Sequence, residues 1–246
     1  MLKRAIVVGA SGGIGAALVQ RLVDHGYRVA AIARREHVLR EVCERAGGGE
    51  MPRALPYVHD VRNNEQAPAL FERVVQDLDG LDLLVYAAGI MPRIGPEEFD
   101  TDTDKAIVEV NVVGAMSWLN LGARRFLVQK GGTLVGIGSV AGDRGRRGNP
   151  AYCASKAALH TYLEALRNRL SQHGVHVLTV KPGPVNTPMT EGLDKLPMLA
   201  EPDRVAAAIH KAIARGAQTA YVPLQWSVVM AGIRSIPSVI FRRMDI

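Results

Sequence analysis

Only two cysteines occur in 246 residues, Cys43 and Cys153, and neither belongs to a CxxC. There is no framework for a disulfide-stapled secreted module, so the expected setting is a reducing cytoplasm. Aromatic residues are scarce too, at 5%. A nucleic-acid surface needs a concentrated basic stripe with rings for stacking, so nucleic acid is not an expected partner despite the net charge of +6. No uninterrupted apolar run reaches the ~18 residues of a transmembrane helix, and none is expected. The apolar stretch after Lys3 and Arg4 is too short for a signal peptide and runs into glycine where a cleavage site would stand. The seven histidines form neither HExxH nor a Cys–His ligand cluster, so no metal is expected. His173 and His176 flank a glycine at a helix end and read as capping or exposed residues. Cys153 reads as a packed small side chain.

What the chain does have is a balance of 48% hydrophobic and 22% charged residues, ordinary for a globular domain. Short apolar runs alternate with longer stretches of helical period. Strands are predicted at residues 5–9, 27–33, 55–58, 81–87, 133–137, 175–180 and 219–222. Helices are predicted at 13–25, 35–46, 65–78, 103–129 (one or two), 151–172 and 202–214. This alternation implies an α/β fold of Rossmann type: a doubly wound parallel sheet of about seven strands with helices on both faces. No repeat or Pro/Ser-rich linker divides the chain, and a single domain is expected over 1–246, ending in an apolar tail at 221–246.

The first strand runs into Gly9-Ala10-Ser11-Gly12-Gly13-Ile14-Gly15, and a helix follows. Glycines permit a tight turn and close backbone approach to a ligand, and the helix start offers unpaired N–H groups to a pyrophosphate. In this strand–turn–helix context the cluster reads as a dinucleotide site. NAD-binding sites place a carboxylate at the end of the second strand to hold both ribose hydroxyls. Here that position reads Ala33-Arg34-Arg35. Guanidinium groups match a 2′-phosphate, so NADP(H) is the expected cofactor.

Tyr152-Cys153-Ala154-Ser155-Lys156 sets a phenol and an ammonium at i and i+4 on one helix face. A phenol of pKa ~10 serves acid–base chemistry near neutrality when a nearby cation stabilises its anion, and Lys156 is expected to be that cation. Ser139, after the fifth strand, can hold a substrate carbonyl. YxxxK alone is a common surface pair; its conjunction with the glycine loop and Ser139 carries the inference.

At this point the chain resembles the short-chain dehydrogenase/reductase family over essentially its whole length. Gly9, Gly13 and Gly15 match its GxxxGxG loop. Asp60 and Val61 match the pair that contacts adenine, and Asn111 the asparagine that helps link a water to the lysine. Ser139, Tyr152 and Lys156 match its catalytic residues. Pro182, Gly183, Val185 and Thr187 match the PG segment that orients the nicotinamide. The family's NNAG after the fourth strand reads Tyr86-Ala87-Ala88-Gly89, so two loop-stabilising amides are missing. The resemblance implies NADPH-dependent reduction of a carbonyl, with Ala88 and Gly89 also lining the cofactor site. It also implies a homodimer or homotetramer, packed through the helices around residues 111–129 and 152–172. Leu159, Tyr162, Leu163, Leu166 and Leu170 give the second of these an apolar face, available to a subunit contact or to the core. A non-enzymatic NADPH-binding scaffold is disfavoured, since serine, tyrosine and lysine are all present.

Two further segments bear on the substrate. Asp143-Arg144-Gly145-Arg146-Arg147 is a basic loop that either receives an anion or is simply solvated. The tail carries Trp226, Val229, Met230, Ile233, Ile236, Val239 and Ile240 at helical spacing, interrupted by Pro237 and followed by Arg242 and Arg243. Such a stripe packs in the core, forms a subunit contact, or lies on an anionic membrane at its inner face. These segments resemble, more loosely, the decaprenyl-phosphoryl 2-keto-pentose reductases. That likeness implies a lipid-linked keto-sugar substrate, a peripheral membrane location and a partner oxidase; a 3-oxoacyl thioester or another lipophilic ketone is the alternative.

Overall fold

The computed structural model describes residues 2–49, 51–95, 97–193 and 196–244. β1 (Lys3–Val8) is the axis of the sheet, with β2 (Tyr27–Ala33) on one side and β4 (Leu83–Tyr86) on the other. With β3 (Ala54–Val58), β5 (Gly132–Ile137), β6 (Val175–Pro182) and β7 (Thr219–Val222), the order is β3-β2-β1-β4-β5-β6-β7, every pairing parallel. This is the expected Rossmann-type architecture. The order reverses between β2 and β4, which opens a crevice above the carboxyl ends of the strands.

Alternation along β1 shows why the strand reads as a continuous apolar run. Ala5 and Val7 face one layer while Ile6 and Val8 face the other, and all four are inaccessible. The first layer holds α1 (Gly13–Asp24), α2 (Glu36–Gly47) and α7 (Pro202–Ala214), whose Leu18, Leu22, Leu39 and Ile209 fill it. The second holds α3 (Ala67–Leu78), α5 (Gly114–Gln129) and α6 (Pro150–Leu170), built around Phe71, Trp118, Phe126 and Leu163. Each such side chain contributes about 2 kcal/mol of hydrophobic stabilisation. The apolar face of α6 therefore belongs to the core: Leu159, Leu163, Leu166 and Leu170 are all buried there.

The long helix splits. α4 (Thr101–Val108) passes through a π-helical turn, Glu109–Val113, into α5. The combined Thr101–Gln129 is, by length and composition alone, long and apolar enough to cross a membrane. The polar Asn111, Ser117 and Asn120 break its apolar run without lowering its average enough, and over half of its apolar window lies inside the fold. In the tail, α8 (Trp226–Ser235) stops before Pro237 and α9 (Ser238–Phe241) follows. Trp226 and Met230 are buried against Val140, while Leu224, Val228, Val239 and Ile240 are exposed. Residues 245–246 of the expected tail lie outside the described residues.

Candidate active site

A cleft of about 460 Å³ opens at the carboxyl ends of the central strands. At one end lies the turn from β1 to α1. A Cβ on Gly9 (φ 92°) would sit 2.3 Å from the backbone nitrogen of Ala88, and one on Gly15 would sit 2.1 Å from the Gly9 carbonyl oxygen. Glycine is required at both, because the turn is pressed against the loop after β4. α1 begins at Gly12 with no side-chain cap, so its first N–H groups are left for a ligand. Ser11, Gly12, Gly13, Ile14 and Ala88 line the same cavity. Arg35 closes over the turn, donating through Nη2 to the Ser11 carbonyl at 3.0 Å and to its hydroxyl at 3.1 Å.

Arg34 also lines the cavity, 3.8 Å from the Asp60 carboxylate. Asp60 does not join the wall as expected. Its neighbours His59 and Val61 do, while its carboxylate receives Arg62 at 2.7 Å. Bonding to Arg62 holds the Asp60 carboxyl below its ordinary pKa.

At the other end, Ser139 leaves β5 in extended conformation and caps a short 3-10 turn, Val140–Asp143, its hydroxyl accepting from the Ala141 N–H at 3.1 Å. α6 starts at Asn149, in left-handed conformation (φ 53°); its Oδ1 accepts from the Tyr152 N–H and its Nδ2 donates to the Pro92 carbonyl. Asn149 thus ties α6 to the loop after β4, a role that sequence reading misses. Tyr152, Lys156 and Ser139 are all buried and all line the cleft. Lys156 Nζ lies 5.7 Å from the centre of the Tyr152 ring and donates to the Ile137 carbonyl at 2.9 Å.

The electrostatics differ from the expectation. Burial raises the Tyr152 phenol; the Ser139 hydroxyl and the charge of Arg146 act against that rise. Burial also lowers the Lys156 ammonium to about 8. The same burial thus acts on both groups, and the phenol stands above its ordinary value beside a lysine that is itself desolvated.

Asn111 sits in the π-helical turn, wholly inaccessible. It clamps Ile90, accepting from its N–H at 2.8 Å and donating to its carbonyl at 3.0 Å, and donates to Ser155 Oγ at 3.0 Å. Its side chain braces the cleft wall and does not line it. At the end of β4, where the loop lacks the two amides, the fully buried Tyr86 phenol donates to the Val110 carbonyl at 2.5 Å.

A family model described as short chain dehydrogenase matches residues 3–196. This chain belongs to the short-chain dehydrogenase family. An uncharacterized oxidoreductase of Myxococcus xanthus is 32% identical to it over 243 residues, covering 97% of this chain and 94% of that protein. Carbonyl reductase family member 4 of Xenopus tropicalis is 30% identical over 217 residues, 85% of this chain and 90% of its own. A solved actinorhodin polyketide ketoreductase variant with NADPH superposes with a TM-score of 0.81 at 27% identity, over 90% of this chain and 95% of that one.

In this short-chain dehydrogenase the glycine turn, the free N-terminus of α1 and the unpaired donor capacity of Lys156 fit a nicotinamide dinucleotide. Gly89, Pro182, Gly183, Val185 and Thr187 complete the cleft, as the family resemblance implied. The basic loop divides its labour. Arg144 donates through Nη1 to the Ile233 and Ile236 carbonyls, 2.6 Å each, and lies 4.0 Å from the centre of the Phe241 ring. Arg147 reaches toward the Arg242 carbonyl at 3.5 Å. Only Arg146 of the three lines the cleft.

Proposed function

We propose that this short-chain dehydrogenase reduces a ketone with NADPH. The observation that carries the cofactor choice is that Arg34 and Arg35, the second bonded to Ser11, both line a cleft wall with no carboxylate among its described residues. An NAD ribose would lack its acidic partner there, whereas a 2′-phosphate meets two guanidinium groups. When bound, the dinucleotide supplies the hydride. The protein's own residues do the rest: Ser139 donates a hydrogen bond to the carbonyl oxygen, and Tyr152 gives that oxygen its proton. Burial holds the phenol protonated at neutral pH, the state needed for an acid. Lys156, protonated below about 8, restores the proton.

The test is NADPH against NADH consumption across a ketone panel, for the wild type and for Arg34→Ala/Arg35→Ala. The wild type is expected to favour NADPH, and the double variant to lose about 100-fold in kcat/KM for NADPH, as two charge-assisted contacts would predict. A wild-type preference for NADH overturns the reading.

For the substrate we put forward a lipophilic ketone. Exposed Leu224, Val228, Val239 and Ile240 with Arg234, Arg242 and Arg243 on α8, α9 and their flanks support approach along an anionic membrane surface from the cytoplasmic side. A polyprenyl-phosphoryl keto-pentose and a 3-oxoacyl thioester are the two substrate classes to include in the panel. Exposed Val108, Val113 and Leu127 on the α4–α5 run support a homodimer or homotetramer.

A further inference from the structure

We propose that Arg146 is an anion subsite at the substrate end of the cleft, selecting ketones that carry a carboxylate or phosphate a few bonds from the reacting carbonyl. The inference rests on the carbonyl-reductase reading and adds the substrate's charge to it. Among the described residues, four lysine and arginine side chains line the cleft: Arg34, Arg35, Lys156 and Arg146. The first two stand at the glycine turn, and the third is held at Ile137 beside Tyr152. Arg146 is the cation left over. Its Nε is buried and has no hydrogen-bond partner among the described residues.

A guanidinium nitrogen withdrawn from water without an acceptor is an unfavourable arrangement that an anionic ligand would relieve. Nothing in the loop itself relieves it. Asp143, the only acid there, is engaged elsewhere: Lys181 Nζ at 2.6 Å on one oxygen, the Tyr221 phenol at 2.6 Å on the other, and His160 Nδ1 at 3.6 Å. No Asp or Glu occurs among the described residues of the cleft wall. Arg144 and Arg147, on either side, are turned to the carbonyls of the C-terminal helices. Arg146 lines the same cleft as Ser139 and Tyr152, and its charge opposes the rise of the phenol's pKa. The lining of the cleft also includes the apolar side chains of Met91, Met189, Leu193 and Leu196. The matching ligand is an amphiphile: an anionic group near the ketone and an apolar body.

The experiment compares two matched pairs in the full-length protein, a 3-oxo acid with its methyl ester and a keto-alcohol with its phosphate monoester. Wild type, Arg146→Gln and Arg146→Lys are measured with NADPH at one pH. The ratio of kcat/KM within a pair cancels any effect of Arg146 on Tyr152. The wild type is expected to prefer at least one charged member by about ten-fold or more, the size of a charge-assisted contact. Arg146→Gln should abolish that preference and Arg146→Lys retain part of it. The arm that responds identifies carboxylate or phosphate. Equal rates within both pairs for the wild type, or an undiminished preference in Arg146→Gln, overturn the subsite. Equilibrium binding of the same compounds to the NADP⁺ complex gives a readout without turnover. If the wild type reduces no ketone, the reductase reading fails on its own, while the charged-over-neutral binding ratio in wild type and Arg146→Gln still decides for or against the subsite.

Discussion

Tyr152 and Lys156 lie one helical turn apart, and burial acts on them in opposite senses: it keeps the phenol protonated and eases the ammonium toward neutrality. Both shifts suit a residue pair that hands a proton to a carbonyl oxygen. Replacing Tyr152 by Phe removes one hydroxyl from a packed ring and leaves the helix intact. Turnover of any accepted ketone should fall by about 10³-fold, the scale of a lost general acid, while NADPH binding followed by fluorescence changes little. Residual activity within a few-fold of wild type would remove Tyr152 from the mechanism. At the same scale, Tyr86 bonds the Val110 carbonyl and Asn111 holds Ile90 by both backbone groups, so two side chains tie the π-helical turn to β4 and the loop after it.

Among the elements, the C-terminal helices depend on one side chain. α8 ends at Ser235, and Arg144 Nη1 donates to the Ile233 carbonyl in its last turn and to the Ile236 carbonyl just past its end while stacking on Phe241. Arg144 itself follows the 3-10 turn that Ser139 caps, so the tail is tied to the catalytic segment. Arg144→Ala should speed amide hydrogen exchange across residues 236–244 by about ten-fold or more and shift global stability by only about 1 kcal/mol, because the sheet and its two cores are untouched. Unchanged exchange in that stretch would mean that Trp226 and Met230, packed on Val140, hold the tail without the arginine.

The molecule as a whole carries a penalty for its buried lysine. In the folded state the Lys156 ammonium titrates near 8, against an ordinary value of 10.5. Below about pH 8 both folded and unfolded chains hold the proton and the full penalty is present. Between about 8 and 10 the unfolded chain binds more protons at this lysine, so its contribution to stability rises with pH, by up to about 3 kcal/mol. From about pH 9 the Cys43 thiol, pushed up by burial to about 11, opposes it, since the unfolded thiol ionises first. Above pH 10, Tyr57, raised by burial and by its bond to Asp77, opposes this, since only the unfolded chain then loses the phenolic proton. Urea midpoints of the cofactor-free protein should climb from about pH 8 to 9, before the Cys43 thiol opposes the rise, and Lys156→Met should flatten that climb. A slope that persists in the variant would assign it to another group.

Strand–helix alternation, the glycine turn and the YxxxK pair were all legible in the chain, because each is a property of contiguous residues: apolar period, backbone freedom, one turn of helix. They carried the seven parallel strands and placed Ser139, Tyr152 and Lys156 in a single cleft with the β1–α1 turn. Three neighbouring arginines, by contrast, read alike in sequence and have different fates, since α8, α9 and the cleft wall reach them from distant parts of the chain. The same holds for the leucines of α6, claimed by the core through β5 and β6, and for Asp60, taken by Arg62 and Arg34. The sign of the Tyr152 shift, too, depends on how much water the packed fold excludes from phenol and ammonium together. Local order was written along the chain; solvation and long-range partners exist only once the chain has closed on itself.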